Sequence, residues 1–172
     1  MNKHVEIGKL EAARRHLEVA IRMFFEQKDP VAIYTVAWSA YQILSDICKK
    51  KGIERQVEDN PILVEFGVKK EFMAAFRAPR NFFHHADRDD KEVIKFFPDT
   101  SFLIPLLATE LIEKLDGIQF WYGRVLMMWF YINNPNYAPE DIKTNIAALP
   151  LPHKDILDDY SIFIELLDRS SN

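Results

Sequence analysis

Glycine is scarce in this chain, with five in 172 residues. A hairpin-rich all-β fold needs glycine at the turns that join its strands, so that class is disfavoured. Cysteine is scarcer. Cys48 stands alone, which excludes a disulfide framework and a cysteine-based zinc site and fits a reducing cytoplasm. Long hydrophobic runs are also wanting. The longest, Ile118 to Ile132, is interrupted by Arg124 and falls short of the roughly 20 apolar residues that span a bilayer. It reads as a buried or interface helix, and no membrane association is expected. Met1 to Leu10 has no apolar signal core. Positive charge does not dominate either. A formal net charge of −4 argues against coating nucleic acid non-specifically, while leaving room for a local basic patch. No glycine-rich phosphate loop, nucleophile elbow or kinase signature occurs, and no cofactor is called for.

What the chain does have is apolar and aromatic. Apolar residues make up 48% of it, with 13 Phe and 6 Tyr, enough to close a helical core in one domain of this length. Leu10, Ala13, Leu17, Ala20, Ile21 and Phe24 recur at helical spacing and predict a first helix over about Val5 to Gln27. Asp29-Pro30 reads as a cap with proline at the first helical position, opening a second helix to about Lys51 that stops at Gly52. The connection is short, so the two should be antiparallel neighbours. Ile53 to Pro61 reads as a loop. A third helix is expected over Glu65 to Ala86, kinked or broken at Pro79. Thr100 or Ser101 should cap a fourth, with Pro105 in its first turn and its end near Gly117. A fifth covers Ile118 to Asn133, ended by Asn134-Pro135. Pro139 could open a short helix to Ala148, Leu149 to Pro152 should be extended, and a last helix is expected over Lys154 to Asp168. The expected architecture is therefore all-α: an antiparallel helical bundle of about five main helices. A single helical domain spans 1–172, its core about 5–133 and its C-terminal extension about 134–172. Ile156, Leu157, Ile162, Phe163 and Leu166 of the extension should cover apolar surface.

Chemistry concentrates between Phe72 and Arg88. At about 100° per residue, Phe72, Ala75, Phe76, Pro79, Phe83 and Ala86 share one side, the expected core face. Lys70, Arg77, Arg80, Asn81, His84 and Arg88 share the other, with His85 at its edge. A gathered basic face is most often a solvated one, but a histidine pair beside Phe82 and Phe83 is not typical of a merely wet surface. Asp87, Asp89 and Asp90 follow the histidines, yet the spacing matches no helix-borne metal motif and no Glu-x-x-His occurs, so no metal is expected. Cys48 reads as a small core residue rather than a nucleophile.

Arg80-Asn81-Phe82-Phe83-His84-His85 has the form R-N-x-x-x-H. Together with the hairpin before it and the small-residue run Ala37-Trp38-Ser39-Ala40, it resembles the HEPN families of small helical bundles, over roughly residues 5 to 132. Their signature is an arginine four to six residues ahead of a histidine, often with asparagine after the arginine. The resemblance implies a metal-independent ribonuclease, in many members a toxin, acting as a homodimer with two motifs across one cleft. It equally allows a member without activity that binds a protein, nucleotide or RNA, and a toxin would carry an antitoxin or other protein partner. In the enzyme, Arg80 would stabilise phosphorane oxygens with its planar fork. His85 would pass protons, and Asn81, four residues earlier on the same face, would orient it. His84 rivals His85, because it lies four residues after Arg80, whereas Arg80 and His85 stand about 140° apart on a straight helix. Lys70, Arg77 and Arg88 would bind substrate.

Overall fold

A computed structural model describes residues 4–65, 67–85, 91–147 and 159–169. The apolar stripes of the sequence become helices there. α1 (Lys9–Phe25) starts a turn later than expected, after Gly8, and buries Ala13, Leu17, Ala20, Ile21 and Phe25 along one face. The chain then turns at Gln27, whose φ of 52° is left-handed. That turn lets the Gln27 and Lys28 N–H groups reach the carbonyls of Phe24 and Met23, both at 3.0 Å, satisfying the end of α1. Asp29 caps α2 (Pro30–Lys51), its carboxylate accepting from the Ala32 N–H at 3.0 Å, with Pro30 at the first position. Gly52 ends α2 in the left-handed conformation, where a side chain would be strained.

A short helical turn that the sequence did not predict, α3 (Pro61–Glu65), comes first, and the expected third helix is α4 (Lys69–His84), which starts a turn later than Glu65. Gly67 between them has a φ of 67°. α4 runs unbroken through Pro79, where a kink or a break was expected; the proline has no N–H to offer the Ala75 carbonyl. α5 (Thr100–Asp116) carries Pro105 in its second turn rather than its first, and Gly117 closes it in the left-handed region. α6 (Trp121–Asn133) begins after Phe120, and a single 3₁₀ turn at Pro135–Tyr137 follows it. α7 spans Glu140–Ala147 and α8 spans Tyr160–Asp168, the latter capped by Asp159. Leu149 to Pro152, Lys154, Ile156 and Leu157 lie outside the described residues.

No strand occurs among the described residues, and the architecture is an all-α helical bundle. α1, α2 and α5 pack on one another, α6 closes against α1 and α5, and α8 lies over α1 and α6. Cys48 is wholly buried where α2 meets α5, its sulfur 4.0 Å from the Leu111 carbonyl; burial pushes its thiol up. It is the core residue the sequence suggested. α5 and α6 approach closely at Gly123. A Cβ there would stand 2.8 Å from Thr109 Cβ and closer still to its methyl and hydroxyl.

Arg124, which interrupts the apolar run, forks onto Glu113 with two 2.8 Å bonds, and Glu113 also accepts from the Phe120 N–H. The charge thus ties the start of α6 to α5. In α8, Phe163 and Leu167 are buried and Ile162 and Leu166 half-buried. Phe163 stacks on Phe25 at 5.0 Å, Trp121 donates to the Leu166 carbonyl, and Arg22 pairs with Asp168. The described part of the extension covers apolar surface, as expected.

Candidate functional site

α4 lies along the outer flank of α2 and packs chiefly on α2 and α3. The two helices run antiparallel, and an aromatic seam joins them. Tyr34 meets Phe83 edge-on at 5.9 Å, while Trp38 and Tyr41 meet Phe76 at 4.9 and 5.8 Å. Phe96, from the segment before α5, closes the seam against Tyr34 and Phe83. This corrects the expected core face. Phe76, Pro79 and Phe83 are half-buried, Ala75 is exposed and Phe72 is 41% exposed. The one buried side chain of α4 is Met73, which falls among the basic residues. A helix seated on one flank of a bundle buries only a narrow stripe; Ala86 lies outside the described residues.

The motif occupies the last turn of α4. Arg80 and Asn81 are half-buried, and the Arg80 Nη1 donates to the Asn81 side-chain oxygen at 3.0 Å. Asn81 therefore engages the arginine, where the sequence suggested that it would orient His85. His84 is the last helical residue and is exposed. It stands four residues after Arg80, on the same face. His85 is half-buried and caps the helix with φ −132° and ψ 61°, already outside helical geometry. The straight-helix angle between Arg80 and His85 thus does not apply. Lys70 and Arg77 are exposed on the same face of α4, one to three turns before Arg80; Arg88 lies outside the described residues.

Beneath Arg80 sits a residue that sequence reasoning missed. Tyr34 is only 2% exposed, and among the described residues its hydroxyl has no partner at hydrogen-bond geometry. Burial pushes the phenol up to about 12, and the nearby Arg80 backbone and guanidinium offset that only in part. No spacing rule links positions 34 and 80; only the α2–α4 seam does.

A second group gathers around the other end of α4. Glu58 is buried and accepts from the Tyr41 hydroxyl at 2.7 Å and from Ser45 at 3.0 Å. Burial and the Glu58 hydrogen bond both push the Tyr41 phenol above its ordinary range. Arg55 forks onto Asp59 and holds that carboxyl down at about 2. The lysine runs at the end of α2 and the start of α4 were the available signal for this group.

Among the described residues no three metal-ligating side chains gather, and no helix is long and apolar enough to cross a membrane. Asp87, Asp89 and Asp90 lie outside those residues. No family model, curated protein or solved structure matches the chain.

The end of α4 offers a guanidinium which, among the described residues, spends one of its five N–H groups, on Asn81. It also offers two imidazoles within one turn. Such a set can bind a phosphate and move a proton beside it.

Proposed function

We propose that the chain is a HEPN-like, metal-independent endoribonuclease of the cytoplasm. It would work as a homodimer in a toxin or defence role, with an antitoxin or other protein partner. The observation that carries this reading is the last turn of α4, where Arg80 is joined to Asn81, with His84 one turn on and His85 at the cap. RNA holds its own nucleophile, so the protein need only position and neutralise. The 2′-hydroxyl attacks the adjacent phosphorus, and a neutral imidazole takes its proton. The bond to the 5′-oxygen breaks, and that oxygen gains a proton from a protonated imidazole. Arg80 holds the equatorial oxygens as charge builds on them. One chain presents a single such set on an open flank. A two-fold dimer would face two sets across one cleft.

The test is cleavage of a mixed-sequence RNA in EDTA by the wild type and by Arg80→Ala, His84→Ala and His85→Ala. We expect products ending in 2′,3′-cyclic phosphate and 5′-hydroxyl, and losses of roughly 10²-fold or more for Arg80→Ala and for the histidine that moves the proton. A folded, dimeric wild type that cleaves nothing removes the proposal. One observation favours a second reading, a HEPN-like domain without activity that binds a protein, nucleotide or RNA: His85, the motif histidine, has left the helix that carries Arg80.

A further inference from the structure

The chain is acidic, with a formal net charge of −4, yet one cleft collects cations. It has a volume of about 480 Å³ and lies between the end of α2, the loop after it and the first turns of α4. Lys49, Arg55, Lys69, Lys70 and Arg77 line it, with Glu58 and Met73. Two of the charges belong to the fold: Glu58 is held by Tyr41 and Ser45, and Arg55 is spent on Asp59. Of the others, Lys49, Lys70 and Arg77 are exposed, and Lys69 stands half-buried beside them. Lys69 helps to hold the Asp59 carboxyl down, but Lys49, Lys70 and Arg77 have no ion-pair partner among the described residues, and the repulsion among these neighbouring cations opposes folding.

The lining says what kind of anion fits. Met73 is its one apolar residue and no aromatic ring takes part, so the cleft has no clamp for a base. Lysine ammoniums on flexible stems bind phosphates as point charges, contacts that position a strand without reading its sequence. The wall of the cleft also leads somewhere. Lys70, Met73, Arg77, Arg80 and His84 follow one another by steps of three or four residues, which is a single helical face. From Arg77 to His84 is about 10 Å of helix.

We infer that this cleft is the docking groove for the sugar–phosphate backbone of single-stranded RNA, which it leads along α4 to Arg80 and His84. The choice of RNA rests on the ribonuclease reading above.

The experiment is fluorescence anisotropy with a labelled 12-nucleotide single-stranded RNA, and its DNA counterpart, over a salt series. The proteins are the wild type, Lys49→Glu, Lys70→Glu, the double variant, and Lys28→Glu as control. Lys28 lies about 30 Å from Lys49, at the opposite end of α2. Circular dichroism confirms that each is folded, and cleavage is followed in parallel. We expect each cleft variant to weaken binding about tenfold or more and to flatten the plot of log affinity against log salt by about one unit per lysine. Lys28→Glu should stay within about twofold of the wild type. Salt-sensitive binding that is lost in the cleft variants, from a wild type that cleaves nothing, upholds the groove and overturns the ribonuclease. Cleavage by the double variant at the wild-type rate, with undiminished affinity, upholds the ribonuclease and overturns the groove. Equal weakening by Lys28→Glu, or the absence of RNA binding at low salt, overturns the groove. Binding of the DNA about tenfold tighter than the RNA overturns the choice of RNA.

Discussion

Tyr34 and Tyr41 lie two turns apart on α2, both buried, but their hydroxyls are in opposite situations. That of Tyr41 donates to a buried carboxylate, and that of Tyr34 donates to nothing at hydrogen-bond geometry among the described residues. Removing an unpaired buried hydroxyl spares its desolvation cost, whereas removing a paired one strands its partner. Tyr34→Phe should therefore stabilise the fold by about 1 kcal/mol, and Tyr41→Phe should destabilise it by about 1–3 kcal/mol. Urea unfolding of the two variants measures both; changes of the same sign would refute the contrast. Gly123 supplies a second residue-scale test. Gly123→Ala forces a methyl into Thr109 and should cost about 1–3 kcal/mol. Adding Thr109→Ala should recover part of that loss, so a double-mutant cycle with no coupling would show that the contact does not matter.

At the scale of elements, most of the fold was legible because its signals are local. Asp29-Pro30, Gly52, Gly117 and Asn134-Pro135 mark helix ends through backbone chemistry that needs no neighbour. Asp29→Ala should remove the cap on α2 and cost about 1 kcal/mol, read as a lower melting temperature, while Asp29→Asn should hold near wild type. The errors come from effects that pattern does not encode. Of the kink or break expected at Pro79, the break does not occur: the proline removes one N–H, and α4 continues across it. Phe72, Ala75, Phe76, Pro79 and Phe83 on one side of α4 promised a core face, but the helix seats on the flank of the bundle, so Phe72 and Ala75 stay exposed and the other three are half-buried. The candidate site was legible as a list of side chains on one helical face. Its partners were not. Tyr34, Phe96, Lys49 and Glu58 come to α4 from distant stretches of chain, and only the antiparallel seating of α4 on α2 brings them there.

For the whole molecule the tyrosines set the alkaline limit. Both folded phenols titrate above the ordinary value near 10, Tyr34 at about 12 and Tyr41 further up. The unfolded chain therefore sheds these protons first. The stability that the neutral phenols represent is complete below pH 10 and is lost as pH rises towards 12 and beyond. Tyr34 alone accounts for about 2–3 kcal/mol of that loss, at about 1.4 kcal/mol per pH unit. Melting temperatures between pH 8 and 12 should fall more steeply in the wild type than in Tyr34→Phe; identical slopes would sink the assignment. At the acid end, Asp59 is held low by Arg55. Its contribution is present above about pH 4 and fades as pH falls through about 2. Finally, Cys48 makes the molecule its own reporter. A single thiol, shut between α2 and α5 and hard to ionise there, is invisible to an alkylating reagent until those helices part. The labelling rate of the untouched wild-type chain should therefore count openings of the central seam. An RNA that tightened the bundle would slow that clock, and one that bound only the outer face of α4 would leave it running at the same pace.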